Sequence, residues 1–132
     1  MNKGLVFDGK NFDVKTWNDG DSYEFLRENV DGYIEHLNVP KLDERKIDIW
    51  LNEEGKLIGL EPTIMLSSDG ELVDYIVGPV VFTRYSDDGE TLSLADGDVD
   101  YIKNLLSHYC IVSYTDSHGK NHYNETFPCL EV

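Results

Sequence analysis

Two histidines and two cysteines near the C-terminus are the residues best suited to bind a metal ion or act as nucleophiles. His118 and His122 stand at positions i and i+4, which would place both on one helix face as zinc ligands. The Gly-Lys-Asn segment at 119–121 favours a turn over a helix. Cys110 and Cys129 lack Cys-x-x-Cys spacing, and the sequence offers no group that would activate either thiol. We therefore predict no metal ligand, no catalytic cysteine and two reduced thiols rather than a disulfide.

An acidic segment, Asp96-Gly97-Asp98-Val99-Asp100, matches the opening of a calcium-binding loop. The EF-hand pattern then requires Gly at the sixth place and Glu at the twelfth, where this chain has Tyr101 and Ser107. Apolar residues continue at helical spacing through the same region, so we predict a helix with Asp96 as its N-cap. Carboxylate pairs are too frequent in this chain for any one pair to indicate general acid–base catalysis. We predict that the protein is not an enzyme and requires no cofactor.

The chain carries a large excess of negative charge. Its 26 acidic and 11 basic residues give a net charge of −15. Binding to nucleic acids and to anionic membranes rests on cationic contacts, so we predict neither. Two interpretations of the charge remain: it keeps the protein soluble, or it imitates nucleic acid and occupies the basic cleft of a DNA-handling protein. The acidic residues are spread along the chain without a long run, which favours solubility.

Aromatic and acidic side chains could form a surface for a protein partner, because aromatic residues are enriched in interface hot spots. Trp50 lies on the strand face opposite Ile47 and Ile49, so that either a helix covers it or a partner does. Burial under a helix is the simpler interpretation. The candidate partner-binding residues are Trp50, Trp17, Glu53, Glu54, Asp87 and Asp88.

Three β-hairpins are predicted from alternating apolar residues on either side of turn sequences. They join residues 5–7 to 12–17, 47–51 to 56–58, and 109–114 to 122–127. We expect Cys110 to be a buried residue of the third hairpin. Pro62 argues against a central strand at 60–66. Residues 75–85 are the most apolar stretch, and Gly78-Pro79 within it predicts a bend where the strand changes its pairing partner.

Two short helices are predicted between these strands. The first begins at Asp21 or Ser22 with a capping box formed by Asp21 and Glu24, and it ends at Gly32 as the left-handed terminator. The second is the helix that follows Asp96. The mixed charges of residues 41–46 predict a solvated loop. We therefore expect one α+β domain over residues 1–132, a mainly antiparallel sheet of hairpins with two short α-helices.

The order of these segments resembles the Domain of Unknown Function 3846 family, small proteins of bacteria, phages and plasmids. Gly-Tyr-Ile-Glu at 32–35 and Asn-Glu-Glu-Gly-Lys at 52–56 are its most specific parts. The resemblance spans roughly residues 20–107, with Asp31 where the family usually has a second glycine, and the hairpin at 109–127 is an added element. Because the family has no established activity, the resemblance implies a phage or mobile-element origin and no particular chemistry.

Two functions follow as expectations. The favoured one is a cytoplasmic accessory or counter-defence protein that occludes a host protein, including a nucleic-acid-binding one. The alternative is a protein that sequesters a nucleotide-like ligand between protomers, for which a few cations are needed. The plausible suppliers of positive charge are Arg27, Lys41, Arg45, Lys46 and Arg84. Exposed strand edges allow a homodimer. An acidic residue follows the N-terminal apolar residues too early in the chain for a signal peptide, so we expect a cytoplasmic protein.

Overall fold

Ten strands and three short helices follow one another in the computed structural model, which describes residues 1–132. The strands are β1 (Asn2–Phe7), β2 (Phe12–Trp17), β3 (Ile34–Leu37), β4 (Ile47–Asn52), β5 (Pro62–Ser68), β6 (Glu71–Val77), β7 (Val80–Tyr85), β8 (Thr91–Leu92), β9 (Tyr109–Thr115) and β10 (Asn121–Glu131). The helices are α1 (Ser22–Val30), α2 (Pro40–Asp43) and α3 (Asp98–Leu105). The predicted α+β class with a mainly antiparallel arrangement is confirmed, although the strands form two sheets and there are three helices.

The first sheet lies between α1 and the second sheet. Its strand order is β2-β1-β7-β4-β3, with β8 paired to β7, and the second sheet has the order β6-β5-β10-β9. On one face of the first sheet, Ile49 and Phe82 share a buried cluster with Ile64 of the second sheet. On its other face, Val81 packs with Leu26 of α1. Because successive side chains along a strand point to opposite faces, the first sheet contributes to two separate cores.

The chain passes from the second sheet to the first at Gly78-Pro79. Residues 71–77 pair with β5 and residues 80–85 pair with β1 and β4, so the predicted change of pairing partner is confirmed. Gly78 has a φ of 76°, and its N–H donates to the Glu61 carbonyl at 2.8 Å. A Cβ at this position would lie 2.6 Å from Leu60 Cδ1. Glycine is therefore required both for its backbone conformation and for space.

The first and third predicted hairpins are confirmed as the β1–β2 and β9–β10 pairs. The central hairpin is wrong, because residues 53–59 form consecutive turns and not a strand. Both edges of β4 are already occupied, by β3 on one side and β7 on the other. Leu57 and Ile58, read as strand residues, are exposed in the turn segment.

Pro62 begins a central strand and does not exclude one. Strand β5 lies between β6 and β10, contrary to the expectation from its proline. Pro62 is the first residue of the strand, where the missing N–H leaves no gap in the middle of the ladder. The next residues, Thr63 to Leu66, are all buried.

The ends of the helices differ from the predicted ones. Asp21 is the N-cap residue of α1 but makes no capping hydrogen bond through its side chain, so the capping box is wrong. The left-handed residue at the other end is Asp31, with a φ of 60°, and not Gly32. Gly97, and not Asp96, is the N-cap of α3. Two of these three errors are shifts of one position at a helix end.

Residues 41–46 are not a fully solvated loop. Pro40 begins the short helix α2, a position at which its missing N–H is harmless. Leu42 is buried in the main core. The single apolar residue in this charged segment therefore anchors it to the sheet. None of the three helices is long and apolar enough to cross a membrane.

Candidate binding site

A cleft of about 610 Å³ lies against the second sheet, between β6 on one side and the tip of the β9–β10 hairpin on the other. Its floor is formed by β5, and the turn segment 53–59 with Leu60 closes one end. This end is tight, since a Cβ on Gly59 would lie 2.8 Å from Ser117 Oγ. The lining residues on which the following paragraphs depend are Lys56, Met65, Val73, Tyr75, Tyr114 and His122.

One wall of the cleft is organised around Tyr75 on β6. Lys56 Nζ lies 4.3 Å from the centre of the Tyr75 ring and 2.6 Å from Asp74 Oδ1. The hydrogen bond from Lys56 lowers the pKa of the Asp74 carboxyl. Met65, on the neighbouring strand opposite Tyr75, is buried and supplies a polarizable floor. This wall therefore presents the Tyr75 ring to the cleft, and the charge of the nearby Lys56 is already paired with Asp74.

The opposite wall is organised around Tyr114 and His122, which face each other across the β9–β10 hairpin. Their rings stack at 4.6 Å with an interplanar angle of 8°. His122 Nε2 lies 2.9 Å from Asp116 Oδ2, and Nδ1 lies 2.8 Å from Glu125 Oε1. Both ring nitrogens therefore face carboxylates, an arrangement that suits the doubly protonated imidazolium.

The same pair of carboxylates shifts the titration of the cluster. The hydrogen bonds that His122 donates, to Asp116 first and then to Glu125, raise the pKa of His122. The hydrogen bond from His122, together with the backbone N–H groups of Lys120 and His118, lowers the pKa of Asp116 to about 2. The hairpin tip is thus held by a charge-assisted cluster (Asp116, His122, Glu125), named here the carboxylate–histidine cluster.

We expect the hairpin tip to be most stable between about pH 4 and pH 6.5, the unfolded-state values of the two groups. The raised pKa of His122 contributes stability below about pH 6.5 that is lost as pH rises through the folded value. The lowered pKa of Asp116 contributes stability above about pH 4 that is lost as pH falls toward the folded value. Amide hydrogen exchange of residues 114–122, corrected for intrinsic rates, measures both limits. His122→Gln should remove the loss at high pH, and its persistence in that variant would contradict the assignment.

The charges around the cleft favour an uncharged or cationic occupant. Glu61, Asp74 and Asp116 line it, whereas Lys56 is its one lysine and is bound to Asp74, and no arginine lines it. The chain as a whole has a net charge of −15. A phosphate group here would meet acidic neighbours without a free cation.

His118 and His122 do not share a helix face. They flank a turn in which Asp116 Oδ1 accepts hydrogen bonds from the N–H groups of His118 and Lys120, both at 2.9 Å. His118 is exposed, whereas His122 is occupied by its two carboxylates. The turn predicted from residues 119–121 is therefore confirmed, and no group of three His, Cys, Asp or Glu side chains is placed to hold a metal ion.

Cys110 and Cys129 lie close together on neighbouring strands. Cys110 is opposite Phe127, two residues before Cys129, and is half-buried rather than fully buried as expected. Burial, followed by the adjacent Cys129 thiol, raises the pKa of Cys110 to about 11. Both cysteines are free. At neutral pH the Cys110 thiol is thus protonated, a state that is a poor nucleophile.

Of the two tryptophans predicted for partner binding, Trp17 lies in the core beneath α1 and Trp50 packs against that core. Trp17 is 5% exposed and stacks on Phe25 at 4.8 Å, so it is wrong as a partner contact. Trp50 is partly buried against the same cluster, and its indole N–H donates to Thr83 Oγ1 at 2.9 Å. Trp50 thus packs against the cluster beneath α1 and keeps part of its side chain exposed.

The four acidic candidates are exposed but lie in two separate places. Glu53 and Glu54 follow the end of β4, whereas Asp87 and Asp88 follow the end of β7. Because these strands are antiparallel, the two pairs lie at opposite ends of the sheet, about 20 Å apart over six residues. Asp87 is also paired with Lys46 at 2.6 Å. The structure does not join them into one patch.

The predicted suppliers of positive charge are engaged elsewhere. Arg45 and Arg84 both bind Asp98, which is fully buried. The Arg27 guanidinium lies 4.7 Å from the centre of the Tyr33 ring. Lys46 is paired with Asp87, Lys41 is exposed, and none of the five residues lines the cleft.

Sequence comparison assigns most of this architecture to one family. The sequence model described as Domain of unknown function (DUF3846) matches residues 2–107. The chain belongs to the DUF3846 family. The match includes β1 and β2, which the resemblance at 20–107 left out, and it ends before β9. No curated protein and no solved structure matches the chain. One wall of the cleft therefore lies within the DUF3846 region, and the Tyr114–His122 wall lies beyond it.

The two DUF3846 segments quoted above meet at a structural joint. Asn52 Nδ2 donates to the carbonyls of Val30 and Asp31, each at 3.1 Å, and Asn52 Oδ1 accepts from the Glu54 N–H at 2.8 Å. A Cβ on Gly32 would lie 2.5 Å from Asn52 Nδ2. Glycine at 32 and asparagine at 52 therefore fit each other and fix the end of α1 to the end of β4. Their roles are structural.

Sequence reasoning missed the cleft and the buried Asp98. Tyr75 and Tyr114 belong to strands that are far apart in the chain, and no local pattern indicates that they face one cavity. One signal for the cleft was available in the sequence, because both faces of β9 carry apolar residues. One face has Cys110, Val112 and Tyr114, and the other has Tyr109 and Ile111. Apolar residues on both faces of a strand at the edge of a sheet indicate two contact surfaces.

Proposed function

We propose that this protein acts by binding and that the cleft holds a planar, uncharged or cationic small molecule of nucleoside size. The volume of about 610 Å³ falls within the range of small-molecule sites, and such sites combine apolar walls with a few placed polar groups. The observation that carries the proposal is the pair of aromatic walls, Tyr75 on one side and the Tyr114–His122 stack on the other. A flat ring that enters the cleft can stack on either of these aromatic walls.

The sequence analysis expected a nucleotide-like ligand. The acidic lining of the cleft favours the nucleoside, which lacks the charged phosphate. A nucleoside can stack through its base and donate hydrogen bonds from its amino and hydroxyl groups to the carboxylates of Glu61 and Asp116. A phosphate adds a negative charge that no free cation here neutralises. We therefore expect nucleosides to bind more tightly than their monophosphates.

Occlusion of a basic host protein stays a second proposal. It is supported by the net charge of −15, which would steer a basic partner toward the protein. It loses support from the distribution of its candidate residues, since Trp17 is buried and Glu53 and Asp87 lie at opposite ends of β4 and β7. The phage origin, cytoplasmic location and lack of catalysis also stay predictions.

Saturation-transfer NMR with adenosine, guanosine, cytidine and uridine tests the cleft, with each 5′-monophosphate measured alongside. We expect signal from at least one nucleoside and a Kd about tenfold or more weaker for its monophosphate. Val73→Trp should fill the cleft and abolish the signal, because Val73 lines it and is 56% exposed. The matched control is Val14→Trp, a 51% exposed valine on β2 away from the cleft. Absence of any nucleoside signal, or equal binding by both variants, would overturn the proposal.

A further inference from the structure

Strand β9 leaves one edge of the second sheet unpaired. It is the terminal strand in the order β6-β5-β10-β9. The Cys129 N–H donates to the His108 carbonyl at 2.8 Å, and Pro128, which has no N–H, lies opposite Tyr109. Backbone groups alternate in direction along a strand, so the even-numbered residues of β9 face β10. The N–H and C=O groups of Tyr109, Ile111, Ser113 and Thr115 therefore point away from the sheet.

This edge differs from the others in its charge. The residues of β9, Tyr-Cys-Ile-Val-Ser-Tyr-Thr, include no charged side chain. The other edge strands longer than two residues carry charged side chains, namely Asp13 and Lys15 on β2, Glu35 on β3, and Glu71 and Asp74 on β6. Charged side chains are the usual means of preventing edge-to-edge pairing. Among the edge strands longer than two residues, β9 is thus the one without a charged side chain, in a chain whose net charge is −15.

Two of the four exposed side chains of β9 are large and apolar. Tyr109 is 63% exposed and Ile111 is 69% exposed, and both lie on the same face because side chains alternate along a strand. An exposed, uncharged edge with large apolar side chains is a pairing surface unless something covers it.

We propose that β9 pairs in antiparallel register with β9 of a second copy, joining two four-stranded sheets across a two-fold axis. The register that uses the whole strand places Val112 on the axis. It pairs Ile111 with the partner's Ser113 and Tyr109 with the partner's Thr115, so the outward-facing backbone groups of both copies are satisfied. The pairing brings no two charged side chains together within the strand.

The second copy fits this edge better than a basic partner does. Backbone pairing needs an extended strand, and β9 is an extended strand without charged side chains that would repel each other between the copies. Because the two copies repel through their net charges, salt should strengthen this dimer by screening. A complex held by opposite charges would weaken with salt instead. Salt dependence therefore separates the two modes of association.

Sedimentation velocity of the full chain tests the proposal, at concentrations up to about 0.5 mM, where mass action favours association. We expect a dimer for the wild type and for Val14→Glu, and a Kd raised about tenfold or more for Ile111→Glu. Both substitutions replace an exposed valine or isoleucine on an edge strand and add one negative charge, so they form a matched pair. Circular dichroism checks that both variants are folded.

A cysteine on the axis gives a readout that does not depend on destabilising the strand. In a Cys110→Ser, Cys129→Ser background, Val112→Cys should form a covalent dimer on mild oxidation. Residues that face each other in a non-hydrogen-bonded pair have Cα atoms about 4.5 Å apart, within reach of a disulfide. A monomeric wild type throughout the concentration range would overturn the proposal. So would an unchanged dimer of Ile111→Glu together with no crosslink at Val112→Cys.

Discussion

Asp98→Ala is expected to lower the free energy of unfolding by about 2–4 kcal/mol. Asp98 is fully buried and binds two arginines, with Arg45 Nη2 at 3.0 Å from Oδ1 and Arg84 Nη2 at 2.9 Å. Its other oxygen accepts from Arg84 Nε and from the Ala95 N–H. Removing the carboxylate leaves both guanidinium groups without a counter-charge. The side chains of Arg45 and Arg84 are 33% and 27% exposed, so water offsets part of the loss.

Urea denaturation followed by tryptophan fluorescence measures this change, and Asp96→Ala is its control. Asp96 is exposed and lies two residues away in the chain, so its replacement should alter the free energy of unfolding by less than about 0.5 kcal/mol. Equal midpoints for the two variants would show that the Asp98 pairs contribute nothing.

The contribution of Asp98 should also appear in the dependence of the free energy of unfolding on pH, at the acidic end. Burial alone raises the pKa of the Asp98 carboxyl, but the hydrogen bonds and charges of its partners, Arg84 first among them, leave the pKa lowered. A lowered pKa contributes stability above the unfolded value that is lost as pH falls through the folded one. The difference between wild type and Asp98→Ala should therefore shrink below about pH 4.

Asn52→Ala should cost about 2–4 kcal/mol, because it leaves the carbonyls of Val30 and Asp31 and the Glu54 N–H without their side-chain partner. Gly32→Ala should also destabilise the fold, since its Cβ would overlap Asn52 Nδ2 at 2.5 Å. The exposed Asn38 provides the control, and Asn38→Ala should be near neutral.

The two substitutions should not be additive. Alanine at position 52 removes the atoms that a Cβ at position 32 would meet, so the double variant should be more stable than the sum predicts. A coupling energy of about 1–2 kcal/mol in a double-mutant cycle is expected from direct contact. Strict additivity would mean that Gly32 is required for its backbone alone.

Three features determined by neighbouring residues were predictable from the sequence. The turn at Asp8-Gly9 placed the first hairpin, the residues at 116–120 placed the third, and Gly78-Pro79 placed the change of sheet. These depend on φ preferences and on short side chains that bond to their own backbone, as Asp8 Oδ1 does with the N–H groups of Lys10 and Asn11.

Features determined by distant residues were not predictable. The partners of β4 are β3 and β7, because pairing is decided by which apolar face completes a core and not by the next strand in the chain. Asp98 looked like a surface residue of a helix, and only the arrival of Arg45 and Arg84 explains its burial. The cleft has the same origin, since its walls come from segments before and after α3.

The parallel pairing of β5 with β10 has a consequence for synthesis on the ribosome. Cys129 lies opposite Met65 and Leu130 opposite Leu66, although residues 69–120 separate the two strands. Until β10 has emerged, the nascent chain can form the β5–β6 hairpin but leaves the other edge of β5 open beside its apolar side chains. The edge of β5 that binds β10 therefore stays exposed until β10 has emerged and paired with it.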